Sequence, residues 1–113
     1  MELECAGKLG ISDASEDTIK YAFADDTARG EFLILSRSGQ EYLQAYGEGD
    51  GPFQLEYRDG EEARHFRAKD DLTKEKVKTC FLLYFRGDPA WKSPYDWEPI
   101  RNQTQNGPWW KFW

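Results

Sequence analysis

The chain has 113 residues and a formal net charge of −6, with 39% hydrophobic and 16% aromatic residues. Its length predicts one domain, 1–100, followed by an aromatic C-terminal tail, 101–113, and its apolar content excludes a disordered chain. The acidic balance argues against nucleic acid or an anionic membrane as the main partner, because binding phosphate groups requires a basic surface.

The first ten residues, MELECAGKLG, carry acids where a secretory signal carries bases, although LECAG is an optional first strand. No stretch reaches the roughly eighteen apolar residues of a membrane span. The only cysteines, Cys5 and Cys80, fit neither a CxxC motif nor a zinc pattern. We therefore expect a cytoplasmic protein with reduced thiols.

Residues 13–29 predict the first helix. Asp13 is the expected N-cap, Glu16 stands in the capping-box position, and Gly30 ends the segment. The apolar stripe of this helix is thin, so we expect it to be partly exposed.

The segments EFLILSR and EYLQAY flank Ser38-Gly39 and predict a β-hairpin. Alternation directs Ile34 to one face of the hairpin and Leu33 to the other, so both faces are partly apolar. A sheet with one face in water does not have this composition, and we expect another segment to cover the second face.

Two further strands, FQLEYR and EARHFRA, flank the turn signal Asp59-Gly60. Phe53, Leu55 and Tyr57 share one face of the first of these strands. The register of the second is open, because turns of two and three residues direct opposite side chains inward. We favour the register with Phe66 inward, beside Phe53.

Residues 72–87 predict the second helix. Thr73 is the expected N-cap, and Leu72 and Val77 stand in hydrophobic-staple positions. Gly87 ends the helix. The element order predicts an α+β fold, in which an antiparallel sheet of about four to five strands has two helices packed on one face.

Candidate catalytic residues are few. His65 is the single histidine and lies among charged residues, where we expect a surface or half-buried position. Two-histidine zinc motifs, phosphate-binding glycine loops and a nucleophile elbow are missing from the sequence, so no metal or cofactor is expected. The alternative to a binding protein is a small enzyme or ligand-binding domain that uses His65 with nearby carboxylates such as Glu56.

All five tryptophans lie in the last 23 residues. We expect Trp91 to pack on the second helix, with Tyr95, Asp96, Trp97 and Glu98 further out as rings and acids that contact a partner. Tryptophan and tyrosine supply large rigid contact areas, which suits this role.

The tail sequence PWWKFW places four rings in six residues, and leaving all of them in water invites aggregation. The tail, or a second copy of the chain, is expected to cover the hairpin face to which we assign Leu33, Leu35, Tyr42 and Tyr46. A homodimer through the aromatic tail or the open sheet face therefore remains an alternative, as does a regulatory protein that self-associates.

The order of GEFLILSRSGQEYLQAYGEGDGPFQLEYRDG and HFRAKDDLTKEKVKTCFLLYFRGDPAWKSPYDWEPI resembles small immunity proteins of bacterial polymorphic toxin systems. More narrowly, it resembles a deaminase-associated group in which a final helix leads to a Gly-x-Pro segment and a tryptophan. Gly87, Pro89 and Trp97 are the matching residues, and the resemblance covers roughly residues 13–100.

The resemblance implies a protein without catalytic activity that binds a cognate protein toxin tightly and blocks its active site in the cytoplasm. Immunity proteins often present carboxylates to toxin surfaces that are basic because those surfaces bind nucleic acid. On this basis the expected partner-binding residues are Tyr42, Tyr46, Tyr95, Asp96, Trp97 and Glu98.

Overall fold

The computed structural model describes residues 1–7 and 9–100, so the predicted aromatic tail, 101–113, and its expected role as a cover for the hairpin lie outside the described residues. The α+β class and the antiparallel sheet are confirmed, but the sheet has seven strands instead of four to five. The strands are β1 (Glu2–Cys5), β2 (Gly10–Ile11), β3 (Phe32–Ser38), β4 (Glu41–Tyr46), β5 (Gln54–Asp59), β6 (His65–Ala68) and β7 (Trp97–Pro99). The helices of the described residues are α1 (Glu16–Ala24), α2 (Asp26–Arg29), α3 (Lys74–Arg86) and a 3₁₀ turn (Pro89–Trp91).

The strands lie in the order β2-β1-β3-β4-β5-β6-β7. Strand β1 confirms the optional strand, whereas β2 and β7 were not predicted. These two edge strands have only two and three residues, too few to show the two-residue period that identifies a strand. Within the described residues, no helix combines the length and apolar character needed to cross a bilayer.

The predicted helix 13–29 is divided in the structure. Asp25 has an extended backbone, with φ at −126°, and separates α1 from α2. Its carboxylate accepts hydrogen bonds from two backbone amides of α2, so the residue that interrupts the first helix also caps the next one. The hydrogen bond from the Ala28 amide is the largest cause of the lowered pKa of the Asp25 carboxyl.

The predicted caps of α3 are confirmed, whereas the predicted N-cap of α1 is wrong. The N-cap of α1 is Ser15, which forms a reciprocal capping box with Thr18, instead of the predicted pair beginning at Asp13. Helix α3 confirms its prediction at both ends. Thr73 accepts a hydrogen bond in the first turn, and Gly87 ends the helix in the left-handed region at φ 76°.

One face of the sheet, which we call the first face, packs against α1 and α3. Leu35, Leu43 and Tyr57 lie opposite one another across β3, β4 and β5, and all three are buried. Helix side chains complete this core, where the rings of Phe23 and Phe81 meet edge to face with centroids 5.5 Å apart.

Phe66 lies inward on the first face, as the favoured register requires, but its neighbour is Tyr57 and not Phe53. The rings of Phe66 and Tyr57 are stacked with centroids 5.1 Å apart, because these residues are cross-strand partners in β6 and β5. Phe53 precedes β5 and pairs with Leu72, the residue before the cap of α3.

The opposite side of the sheet, the second face, bears Ile34, Gln44, Glu56 and Arg67 in one cross-strand row. A parallel row carries Tyr42, Arg58 and His65. The register confirms that Ile34 and Leu33 point to opposite faces, and it corrects the sequence grouping in one respect. Tyr42 and Tyr46 share their face with Ile34, and the leucines of β3 belong to the first face.

Arg29 at the end of α2 is fully buried. Its guanidinium donates to the carbonyl oxygen of Ala22 in α1 at 3.1 Å and to that of Gly49 at 2.9 Å. An ion pair of 2.6 Å with Asp26 supplies the countercharge. This arginine therefore ties the loop that follows β4 to the end of α1, a role that the sequence did not indicate.

Candidate protein-interaction site

The segment after α3 returns the chain to the edge of the sheet. Asp88 caps the 3₁₀ turn by accepting a hydrogen bond from the amide of Ala90. The indole of Trp97 donates to the carbonyl oxygen of Lys92 at 3.0 Å, which closes the loop between them. Strand β7 then pairs with β6, and the amide of Lys69 donates to the carbonyl oxygen of Asp96 at 2.9 Å.

Both tryptophans of this segment pack on the first face. The rings of Trp91 and Trp97 meet Tyr57 edge to face, with centroids 5.0 Å and 4.8 Å away. Trp91 also contacts Tyr84 of α3 at 5.1 Å, as expected. The outward position expected for Trp97 is therefore not observed, because strand alternation directs its ring to the same face as Tyr57 and Phe66.

A small cleft lies between the β6–α3 connection and the loop before β7. It has a volume of about 250 Å³. Its lining residues, which define what we call the acidic cleft, are Ala68, Asp70, Asp71, Leu72, Lys76, Pro94, Tyr95 and Asp96. All three carboxylates are exposed and Tyr95 is half-buried, so a concave surface of net negative charge opens to solvent.

Tyr95 forms the aromatic wall of this cleft. Its ring lies edge to face with that of Trp97 at 6.3 Å, so the ring cluster on the first face supports it from behind. Partial burial raises the pKa of the Tyr95 hydroxyl above its ordinary value. The phenol therefore remains a neutral hydrogen-bond donor or acceptor at physiological pH.

The remaining expected contact residues lie elsewhere. Glu98 pairs with Arg67 at 3.0 Å on the second face, outside the acidic cleft. Tyr42 is buried on the second face, whereas Tyr46 at the end of β4 is 36% exposed. The structure thus brings Tyr95 and Asp96 into one cleft, and distributes the other four expected residues over the first and second faces.

His65 is fully buried, in contrast to the surface or half-buried position expected from its charged neighbours. Its Nε2 atom lies 3.0 Å from Oε1 of Glu56. The same carboxylate accepts hydrogen bonds from Gln44 at 2.8 Å and from Gln54 at 3.0 Å. Glu56 is therefore the acceptor at the centre of a polar network on the second face.

Arg58 completes this network from the neighbouring row. Its Nε and Nη2 atoms lie 3.3 Å and 3.1 Å from Nδ1 of His65. Its Nη1 atom donates to Gln40 at 2.9 Å, and its guanidinium carbon lies 5.5 Å from the centre of the Tyr42 ring. An arginine is only a donor, so Nδ1 is the acceptor and the imidazole proton resides on Nε2.

This arrangement decides what the histidine can do chemically. Both ring nitrogens of His65 are engaged, one by Arg58 and the other by Glu56. A general base requires a lone pair within reach of a substrate proton, and the only lone pair of this ring is directed at a guanidinium. The His65–Glu56 pair therefore has the geometry of a buried structural network.

A larger groove opens at the other end of the second face, with a volume of about 630 Å³. Phe32 and Ile34 of β3 provide apolar surface, and Glu4 and Glu31 contribute carboxylates. We call this feature the β1–β3 groove. It lies on the same face as the polar network, four strands away from β7.

Sequence reasoning did not identify Asp70 and Asp71 as part of a site. The signal was present, because this acid pair separates β6 from α3. Their proximity to Asp96 depends on the pairing of β6 with β7, which no local pattern indicates. Among the described residues, no group of three His, Cys, Asp or Glu side chains is placed to hold a metal ion.

Comparisons with known protein families, with curated proteins and with solved structures each found no match to this chain.

Proposed function

We propose that this chain is an immunity-type binding protein, which neutralises a cognate bacterial toxin in the cytoplasm by tight protein–protein binding at the acidic cleft. The observation that carries the proposal is the convergence of Asp70, Asp71 and Asp96 on one cleft beside the Tyr95 ring. The resemblance of residues 13–100 to immunity proteins supports the same function.

The chemistry of the cleft suits a basic partner. Three carboxylates attract a basic surface over a distance of about a Debye length and accelerate encounter with it. A lysine or arginine of the toxin that enters the cleft exchanges hydration for charge-assisted hydrogen bonds with Asp70, Asp71 or Asp96. Toxins that act on nucleic acid present basic residues where the phosphates bind, so occupation of this surface blocks the substrate.

The ring cluster behind the cleft contributes rigidity. Tyr95 rests on Trp97, and Trp97 rests on Tyr57 of the central sheet. A wall held in one conformation before binding loses little side-chain entropy when the partner arrives. Tyrosine is one of the residue types that dominate the binding energy at such surfaces.

The proposal is tested in two stages. Native capture from the producing bacterium, followed by mass spectrometry, identifies the partner, and co-expression with the captured toxin domain measures growth rescue. We expect a basic toxin domain whose lethality the chain suppresses. Capture without growth rescue contradicts an immunity function.

A matched pair of variants then tests the surface. The triple variant Asp70→Asn, Asp71→Asn and Asp96→Asn is expected to weaken toxin binding at least about tenfold, mainly through slower association. The control removes the same charge elsewhere, by Asp13→Asn, Asp17→Asn and Glu61→Gln, and is expected to bind as the parent does. Equal losses in the two variants mean that only net charge matters and that the contact surface lies elsewhere.

A further inference from the structure

One titratable ring joins the two buried charges of the second face. His65 is fully buried, and Glu56 and Arg58 on either side of it are only 4% and 6% exposed. The Nε2 atom of the ring lies 3.0 Å from the Glu56 carboxylate, and its Nδ1 atom lies 3.3 Å and 3.1 Å from two nitrogens of Arg58. With a neutral imidazole, the three side chains carry no net charge.

The other groups that face His65 leave this balance unchanged. From β4, the ring of Tyr42 meets the imidazole edge to face, with centroids 5.9 Å apart. Burial is the largest cause of the raised pKa of the Tyr42 hydroxyl, so the phenol stays neutral. On the histidine's own strand, Arg67 is paired with Glu98 of β7 at 3.0 Å. Within residues 1–7 and 9–100, the charges in direct contact with the imidazole are therefore one carboxylate and one guanidinium.

Protonation of His65 affects its two charged neighbours in opposite ways. Nε2 already carries a hydrogen, because Nδ1 is the acceptor for Arg58, so an added proton binds Nδ1. That N–H then faces a guanidinium, which has no acceptor, and two positive charges are in contact at a buried position. Glu56 gains from the same event, because its partner at 3.0 Å becomes a charged donor. The imidazolium therefore stays with Glu56, and Arg58 is the side chain that leaves.

Arg58 can reach solvent by a change of rotamer. Its Nη1 atom donates to Oε1 of Gln40 at 2.9 Å, and Gln40 is exposed in the turn between β3 and β4. The far end of the arginine therefore already lies at the margin of the buried network, and rotation about its side-chain torsions is enough to hydrate the charge. His65 has no such route, because its strand is paired with β5 on one side and with β7 on the other.

We propose that the hydrogen bond between Arg58 and His65 is a proton-controlled latch, which we call the Arg58 latch. While the imidazole is neutral, Nδ1 holds the guanidinium in the second face. When Nδ1 gains a proton in mild acid, Arg58 turns out beside Gln40, and the ion pair between His65 and Glu56 remains. Histidine is the side chain that responds to this range of pH. The latch is independent of the proposed toxin binding, because the acidic cleft is built from the β6–α3 connection and the loop before β7.

Nitrogen NMR of the full-length chain tests the latch, because His65 is the single histidine and its ring signals need no further assignment. The ring is followed in histidine-labelled protein as the pH is lowered from about 8 to about 5. In arginine-labelled protein, the Nε–H signal of Arg58 is identified by its absence from Arg58→Lys, and its exchange with water is measured. The Nε–H group of Arg67, which donates to Glu98 at 3.0 Å, is the internal reference.

We expect a proton on Nε2 alone at neutral pH. As Nδ1 becomes protonated, the exchange rate of the Arg58 Nε–H, relative to that of Arg67, is expected to rise at least about tenfold, because the loss of the hydrogen bond removes its protection. A neutral ring with its proton on Nδ1, a ring that stays neutral down to about pH 5, or an Arg58 signal that does not respond overturns the proposal. Backbone amides of β5 and β6 are expected to stay protected, and their loss of protection at the same pH shows unfolding and also overturns it.

The matched variant is His65→Gln, whose amide keeps one donor for Glu56 and one acceptor for Arg58 but cannot be protonated in this range. Its Arg58 signal is expected to stay protected at every pH. Release of Arg58 in this variant at the same pH shows that another group carries the proton, and it overturns the proposal. If His65→Gln does not fold, the titration of the parent chain against the Arg67 reference decides alone.

Discussion

The two faces of this sheet are both buried, yet they are built from different chemistry. The first face carries leucines and rings that pack against helix side chains, and its stability depends on shape and apolar area. The second face carries Gln44, Glu56, Arg58 and His65, and depends on hydrogen bonds that join them in one network. A strand therefore does not need an apolar side chain at a buried position if every polar atom there finds a partner.

The two faces also differ in how they tolerate change. A leucine removed from the first face leaves a cavity that neighbouring side chains fill in part. A residue removed from the second face leaves a donor or acceptor unpaired, and no repacking repairs that loss. Gln44 already carries such a cost, because its buried Oε1 atom has no hydrogen-bond partner among the described residues.

The largest expected effect is on the first face. Phe81→Ala removes a fully buried ring that contacts Phe23, and is expected to lower the free energy of unfolding by about 3–5 kcal/mol in urea melts. Lys76→Ala, on the exposed side of the same helix, is expected to change it by less than about 0.5 kcal/mol. A loss below about 1 kcal/mol for Phe81→Ala means that the helix does not pack as described.

The second prediction asks whether the ring cluster belongs to the first face. Trp97→Ala is expected to cost about 2–3 kcal/mol, less than a fully buried ring because Trp97 is half-buried. Trp91→Ala is expected to be comparable, since both rings contact Tyr57. Thermal melts beside toxin binding provide the measurement. If the Trp97→Ala protein is as stable as the parent but binds the toxin more weakly, Trp97 contacts the partner, as the sequence suggested.

The third prediction concerns the second face. His65→Ala is expected to cost about 2 kcal/mol, because Glu56 and Arg58 each lose a buried partner. A double-mutant cycle with Glu56→Gln measures the interaction energy between His65 and Glu56. Coupling of about 0.5–3 kcal/mol is expected between His65 and Glu56, whereas a cycle between His65 and Phe81 is expected to be additive. Toxin neutralisation by the folded His65→Ala protein should be retained, and its complete loss would favour an enzyme.

The sequence predicted the first face better than the second. Alternation in β5 is a local pattern, and it placed Leu55 and Tyr57 in the core correctly. The grouping of the β3 leucines with Tyr42 and Tyr46 was wrong, because the pairing of β3 with β4 depends on a register shift at Ser36–Ser38 that no local pattern indicates.

Burial of His65 depends on Arg58 across the strand pair and on Glu56 one row away, and both contacts depend on a hairpin register that the sequence leaves open. Strand β7 was missed for the same reason, because a three-residue strand acquires its partner only through the tertiary fold.

The smallest expected effect comes from removing an ion pair between the two helices that cover the first face. Arg86 in α3 binds Glu16 in α1 through two hydrogen bonds of 2.9 Å and 2.8 Å. The hydrogen bond from Arg86 lowers the pKa of the Glu16 carboxyl below its ordinary value of 4.5. The pair therefore stabilises the fold above that pH, and the contribution is lost as the pH falls through the lowered value.

The corresponding measurement compares melting temperatures of the parent and Glu16→Gln across pH. A small difference is expected at neutral pH, and it should disappear well below 4.5 and shrink in high salt. Asp17→Asn is the control, since it removes a charge from the same first turn without breaking the pair. A difference that persists in acid would show that the glutamine disturbs packing and not an ion pair.

The brevity of the outermost strands has a consequence for solubility. Sheet edges offer unpaired amides and carbonyls to any other strand, and proteins with long flat edges polymerise through them. Here one margin is only Gly10–Ile11 and the other ends in Pro99, a residue that has no amide hydrogen to donate. Within the described residues, a strand from another molecule therefore finds few hydrogen bonds at either margin from which to extend the sheet.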